Sequence, residues 1–376
     1  MNKRQILLIG CGKAGNRLIN ELMDRDSMLT GLFVNTAYDD MAHLKHCKEE
    51  NSFLFTSANG SGRDRNIAQQ YVKDQVKSLI DVIIRYPFHN NIYVFTSSDG
   101  GTGSGITPMI CQLLRQTFKS KGLDRKINLV AIMPNQKVDD RLAFENAIGF
   151  WNDIVMERVD KQGNKFTIKD ECLDSIKLID NTKGQNYNDI NAKAVRDIIN
   201  SFNMNGTHDE GDIDDRDSKM FNTEKGFSLI LTLPTGYGNA KEAIDKAIED
   251  TVFAKPDNYN CNYIGISLNE KDYLIDDVRG CFDVVYKTTY KTYNTRGHNT
   301  VVLGGCATPN EIITSIKQKL EELDSKAIEK NEKVDLTINL TNTINKSETK
   351  KVVKETKLTF TDADLDDIAS ALEDLF

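Results

Sequence analysis

Thr96-Ser97-Ser98-Asp99-Gly100-Gly101-Thr102-Gly103-Ser104-Gly105 decides how this chain folds. The stretch follows an apolar run, Asn91-Ile92-Tyr93-Val94-Phe95, and leads into an apolar helical pattern over about 105 to 120. Glycines with hydroxyls between them let successive backbone N–H groups point into one concavity, and the helix that follows adds the positive end of its dipole. Such a loop is an anion nest, and its tight apolar flanks argue against a flexible linker. It lacks the Gly-Lys-Ser/Thr of a Walker loop, so phosphate charge must be balanced there by backbone dipoles and a metal ion.

Toward the N-terminus, Gly10-Cys11-Gly12-Lys13-Ala14-Gly15-Asn16 has the same context: a short apolar run, Gln5 to Ile9, then glycines, then a helix over about 14 to 24 marked by Leu18, Ile19, Leu22 and Met23. A GxGxxG in that position reads as a phosphate turn, with a merely tight strand-helix turn as the alternative. A dinucleotide site also wants an acid at the end of the second strand, where this chain has Phe33-Val34-Asn35-Thr36-Ala37. Between the two loops lie a strand at 31–34, a weaker turn at Asn59-Gly60-Ser61-Gly62-Arg63 and a long helix at about 65–86; a strand follows at 127–133. This alternation predicts an α/β fold with a doubly wound parallel sheet and ligand loops at the carboxyl ends of its strands.

Composition sets the outer bounds. The chain has 376 residues, 39% hydrophobic and 28% charged, and a mean hydropathy of -0.45, values of an ordinary soluble protein with two or three domains. No apolar run reaches the roughly 18 residues of a membrane span, and the four apolar residues before Gly10 are too few for a signal peptide. The expected location is therefore cytoplasmic. Seven scattered cysteines offer neither a disulfide framework nor a metal knuckle. A net charge of -8 argues against a general nucleic-acid or membrane surface. A helix is expected at about 187–203, then a polar loop from Asn205 to Asp217 that carries six acids. Beyond that boundary, 226–233, a helix at 239–253, 263–268 and 300–303 predict a smaller α/β domain with its own sheet.

Taken in chain order, these motifs resemble the tubulin and FtsZ superfamily. GGTGSG looks like the family's signature loop; Gly10 to Asn16 resembles its first loop, Asn35-Thr36 its second, Gly60-Ser61-Gly62 its third, and Met133 to Arg141 its ribose-contacting fifth. The resemblance implies GTP or GDP with Mg²⁺, held by Gly12, Lys13, Gly15, Asn16, Asn35, Thr36, Gly60, Ser61, Gly62, Gly100, Gly101, Thr102, Gly103 and Ser104. Asp139 or Asp140, with Arg141, would stand for the family's ribose Glu and Arg, one residue short in spacing. Tyr187-Asn188-Asp189-Ile190-Asn191 looks like the start of the family's central helix, Tyr187 stacking on guanine and Asn191 pairing with its edge. Positions four apart do share a helical face; without the family, the pair reads as an ordinary helix start. Asp212-Ile213-Asp214-Asp215-Arg216-Asp217 resembles the loop that one subunit inserts into the next subunit's nucleotide site, with Asp212 where the family has Asn. It implies that Asp214 and Asp217, with Asp212, act on the attacking water. No protein metal ligand is implied.

The resemblance further implies a nucleotide domain at 1–186, a central helix at 187–205, an activation domain at 206–310 and a C-terminal helix, lysine-rich linker and acidic tail at 311–376. Phosphate loops on one domain and acids on the other imply catalysis across a head-to-tail contact, which unclosed gives a filament. The tail 361–376 holds six acids and no base, with Leu365, Ile368, Leu372 and Leu375 on one helical face. It reads equally as a solvated end or as a segment that folds on a partner or a neighbouring subunit. Lys13-Ala14, Asp99 and this tail look more like the phage and plasmid branch, TubZ and PhuZ, than cell-division FtsZ. That branch implies segregation or positioning of plasmid or phage DNA, through a DNA-binding adaptor that the lysines between 346 and 357 are placed to contact. The alternatives are a cell-division FtsZ, an NAD-dependent oxidoreductase and a nucleotide-binding scaffold without turnover.

Overall fold

A computed structural model of the chain describes residues 1–333 except 56–58, 160–162, 164, 205–212 and 237. Asp212, the lysines at 346–357 and the tail at 361–376 lie outside the described residues. The sheet begins with β1 (Ile6–Cys11), buried at every position, flanked by β2 (Thr30–Asn35) and β4 (Asn91–Ser97). β3 (Ser52–Leu54) extends one edge, and β5 (Lys126–Met133) pairs with β4 on the other side. These five strands are parallel, and continuous apolar runs suit them because helices cover both faces. α1 (Gly12–Arg25), α2 (Arg65–Asp74), α3 (Val76–Ile83), α4 (Gly101–Ser120) and α5 (Arg141–Val155) make the crossovers. The helix expected over 65–86 is two helices broken at Gln75, which has a non-helical backbone. α4 starts four residues earlier than its apolar pattern, because Gly101 to Ser104 are already helical.

A short hairpin, β6 (Arg158–Val159) with β7 (Lys165–Phe166), leads to β8 (Ser175–Asp180), parallel to β5. α6 (Tyr187–Phe202) then runs to α7 (Asp215–Asn222), β9 (Gly226–Leu233), α8 (Ala240–Asp250), β10 (Cys261–Leu268), α9 (Ile275–Gly280), β11 (Val285–Tyr293), β12 (Asn299–Cys306) and α10 (Asn310–Lys333). The second half does not form a sheet of its own. β9 pairs with β8 at Ser175↔Gly226 and Ile176↔Phe227, so one sheet runs β11-β10-β12-β9-β8-β5-β4-β1-β2-β3. β12 is antiparallel to both β9 and β10, whereas β10 and β11 are parallel. α7 seats closely on this half because Gly265 and Gly304 leave room for Phe221: a Cβ on Gly265 would lie 2.7 Å from the Phe221 ring.

Near the seam, β8 carries Lys177, which is 1% exposed. Its Nζ donates to the Asn222 carbonyl at 3.0 Å and to Ser175 Oγ at 3.3 Å, and lies 5.6 Å from the centre of the Tyr93 ring. Burial pushes its ammonium down to about 7.

Candidate functional site

The strand order reverses between β1 and β4: β2 lies to one side of β1, and β5 lies to the other side of β4. In a doubly wound sheet the crevice opens at that switch point, at the carboxyl ends of the strands. A cleft of about 550 Å³ lies there, within the range of small-molecule sites. Its lining includes Lys13, Gly60, Ser61, Gly62, Gly100, Gly101, Thr102, Gly103, Tyr187 and Asn191.

The glycines divide into two uses. A Cβ on Gly100 would meet nothing within 4 Å, so that residue opens on the cleft. Gly12 has φ +71, and a Cβ there would lie 2.9 Å from Gly103 N; a Cβ on Gly103 would lie 2.6 Å from Thr96 Oγ1 and 3.0 Å from the Cys11 carbonyl. The first and signature loops therefore touch through backbone. Gly12 and Gly15 do not line the cleft; Gly15 brings α1 onto the Phe95 carbonyl of β4. Hydroxyls tie the other loops together. Thr36 Oγ1 and Thr102 Oγ1 are 2.6 Å apart, Thr102 Oγ1 donates to Ser61 Oγ at 3.2 Å, and Gly60 N donates to the Thr36 carbonyl at 2.8 Å. Asn16 and Asn35 are buried beneath this layer: Asn16 Nδ2 donates to the Val34 carbonyl, and Asn35 Oδ1 accepts from Thr36 N.

The first turn of α4 has an added brace. Pro108 sits inside the helix and has no N–H for the Ser104 carbonyl, one turn back. Arg65 Nη2 fills the vacancy at 3.2 Å, while its Nε donates to Ser104 Oγ at 3.1 Å and Nη2 reaches Asp153 on α5. The Ser104 hydroxyl in turn donates to the Gly100 carbonyl. Ser104 is thus buried in the brace and does not line the cleft.

From α6, Tyr187 lines the cleft behind the Asn186 cap and is 46% exposed. Its phenol donates to Asp139 Oδ1 at 3.1 Å, and burial together with that carboxylate pushes it up to about 12. Asp140 caps α5 and receives both guanidinium nitrogens of Arg63, at 2.6 and 3.0 Å. Arg141 points to other partners, Glu145 and Asp324, each at 2.5 Å, and does not line the cleft. Asp214 and Asp217 lie apart from the cleft in a reciprocal cap at the start of α7: Asp217 N donates to Asp214 Oδ1 at 2.7 Å, and Asp214 N donates to Asp217 Oδ2 at 3.3 Å.

Sequence reasoning missed several lining residues. Arg63 and Asp99 stand inside the quoted loops, and Arg17 follows Lys13 by one helical turn. Asp40, Ile132 and Asn181 arrive only through the fold, and no local signal marks them. Asp99 is half-buried; burial and the nearby Asp139 push its carboxyl up to about 6.

Residues 5–160 match the family described as Tubulin/FtsZ family, GTPase domain. The tubulin-like protein TubZ of Clostridium botulinum C phage is 29% identical over 338 residues, covering 86% of this chain and 87% of that protein. Among solved structures, tail-truncated TubZ of Clostridium botulinum phage c-st superposes with a TM-score of 0.75 at 24% identity, over 87% of this chain and all of that one. A GTPγS-form protofilament of TubZ from Bacillus thuringiensis serovar israelensis gives 0.69 at 14% identity, over 88% of this chain and 94% of that one. Both superpositions carry the same fold. Residues 5–160 are therefore a GTPase domain of the Tubulin/FtsZ family, in a chain that is similar over most of its length to a phage TubZ and shares the TubZ fold.

Proposed function

We propose that this protein binds and hydrolyses GTP in the cleft between β1 and β4, and polymerises head-to-tail into dynamic filaments that segregate or position plasmid or phage DNA. The observation that carries the reading is the cleft itself: an open Gly100 on the amino end of α4 lines it together with Tyr187 and Asn191 from α6. That lining suits a phosphate chain on backbone donors and a base against an aromatic face. The relative solved as a GTPγS-form protofilament supports both nucleotide and assembly.

Within the cleft, Gly100 to Gly103 and Gly60 to Gly62 hold the phosphates, Tyr187 stacks on the base, and Asn191 offers its amide to the base edge. Asp139 positions the Tyr187 ring through its hydroxyl. Among the described residues, no group of three His, Cys, Asp or Glu side chains is arranged to hold a metal ion. A Mg²⁺ would be carried on the nucleotide's own phosphates, where it would supply charge neutralisation. Asp214 and Asp217 do not line their own chain's cleft. Their proposed role, orienting the attacking water, therefore needs a second copy whose α7 end approaches the first copy's phosphates. Assembly would build the catalytic site, and hydrolysis would loosen the joint that built it. A DNA-bound adaptor and the acidic tail complete the proposed partners; the protein makes no direct contact with nucleic acid or membrane.

Light scattering with GTP, GDP, ATP and NAD tests this. Prompt scattering with GTP that later decays is the expected result, and none with any nucleotide over a range of protein concentrations would overturn it. Asp214→Ala should slow phosphate release by about tenfold or more while filaments still pellet and persist. Unchanged turnover removes that acid from the mechanism.

A further inference from the structure

Three basic side chains line the cleft: Lys13, Arg17 and Arg63. Two of them are already engaged. Lys13 Nζ lies 2.9 Å from Asp40, and the Arg63 guanidinium forms a two-bond fork with Asp140 at 2.6 and 3.0 Å. The fork is held with unusual care. Among the described residues, Arg63 is the only non-glycine with a left-handed backbone, at φ +65, a conformation that persists only where its surroundings impose it. Asn146 Nδ2 donates to the Arg63 carbonyl and to the Asp99 carbonyl, each at 3.1 Å, locking the third loop to the signature loop. Gly101, the first residue of α4, has no Cβ, and the Arg63 backbone fills that space.

The Arg63 backbone consequently lies against the amino end of α4, where an anion is most favoured, and the residue lines the same cleft as Gly100 and Gly101, yet its guanidinium's partner is a carboxylate from the start of α5. A planar guanidinium fits carboxylate and phosphate oxygens equally well in two-point contact. Exchange would not orphan Asp140, because its Oδ1 also accepts from Ala143 N at 3.0 Å as the cap of α5.

We propose that Arg63 reads the third phosphate: its guanidinium is stored on Asp140 and passes to the terminal phosphate of a nucleoside triphosphate, while a diphosphate leaves the fork closed. The inference rests on the nucleotide reading of the cleft and adds a residue that distinguishes tri- from diphosphate. It makes the two partners of one ion pair act in opposite directions. Asp140 competes with the ligand, so removing its charge helps the triphosphate; Arg63 serves the ligand, so removing it hurts. A fork that merely staples the third loop to α5 would weaken binding when either side is lost.

The test measures fluorescent, non-hydrolysable GTP and GDP analogues on the full chain below its assembly concentration. Arg63→Ala and Arg63→Gly, the latter suited to the positive φ, should each weaken triphosphate binding by roughly 10-fold to 100-fold and leave the diphosphate within about threefold. Asp140→Asn keeps the helix cap and should tighten the triphosphate by about two- to fivefold, the scale of an exposed ion pair. Thermal melts identify variants that fail to fold. Equal losses for both nucleotides in the Arg63 variants, or weaker triphosphate binding in Asp140→Asn, overturn the proposal while leaving the cleft reading intact. A wild-type protein that binds neither analogue overturns both.

Discussion

Lys177→Met should make the protein more stable, and by an amount that depends on pH. The wild-type ammonium is 1% exposed and has two neutral hydrogen-bond partners; among the described residues no carboxylate pairs with it. Its fall from 10.5 to about 7 corresponds to a penalty on the order of 5 kcal/mol for keeping the charge in the folded state below pH 7. Relaxation reduces such figures, and replacing a buried charge by an apolar side chain of similar volume is worth about 1–4 kcal/mol. Little is left unsatisfied by the change. Ser175 Oγ still donates to Asn222 O at 3.2 Å and lies 2.8 Å from Asn128 Oδ1.

The sign follows from proton counts. Between pH 7 and 10.5 the unfolded chain binds the proton that the folded one has released, so wild-type stability from this group rises with pH through that window. The gain from Lys177→Met is therefore largest below pH 7 and shrinks toward pH 10. Denaturant midpoints for both proteins at pH 6, 7.5 and 9 supply the comparison, and their difference cancels every other titrating group. A difference that does not vary with pH, or a less stable variant at pH 6, would refute the reasoning.

Gly103→Ala puts a methyl 2.6 Å from Thr96 Oγ1 and 3.0 Å from the Cys11 carbonyl; nucleotide binding should be lost at a stability cost of about 1–3 kcal/mol, read by titration beside a thermal melt. Tyr187→Phe should keep base affinity, whereas Tyr187→Ala should lose about tenfold, the scale of a stacked base; equal losses would place the function in the hydroxyl. Asp99 is neutral below about pH 6 and anionic above it, so triphosphate affinity should fall as pH rises through that value. Asp99→Asn should flatten the profile, and an unchanged slope would remove Asp99 from the phosphate field.

Much of the first half of the chain is legible because burial leaves a direct trace. β1, β4 and β5 are buried along nearly their whole lengths, so the apolar runs Ile6 to Ile9, Ile92 to Phe95 and Leu129 to Met133 mark them, and they end in loops rich in glycine or polar side chains. β8 escapes for the opposite reason: Lys177 interrupts Ile176, Leu178 and Ile179, and a buried lysine mimics a surface position. β11 alternates Thr, Tyr and Lys along a sheet edge and so carries no apolar run. The break at Gln75 has neither Gly nor Pro to announce it. In the cleft, backbone chemistry is what the sequence displays. Gly12 and Gly15 read as phosphate glycines, but the fold uses them to pack loop on loop and helix on strand. Asn181 and Ile132 are ordinary residues whose role exists only because β8 and β5 end beside the cleft.

Pro108 and Arg65 have a consequence for how relatives of this chain diverge. The proline leaves the Ser104 carbonyl without its helical donor, and the arginine from α2 replaces it. The dependence runs one way. Losing Arg65 while Pro108 remains leaves a carbonyl unpaired in the first turn of α4; losing Pro108 while Arg65 remains only adds a second donor to an oxygen that can accept two. Relatives with the proline at 108 are therefore expected to keep the arginine at 65, and those with a non-proline at 108 are free to lose it.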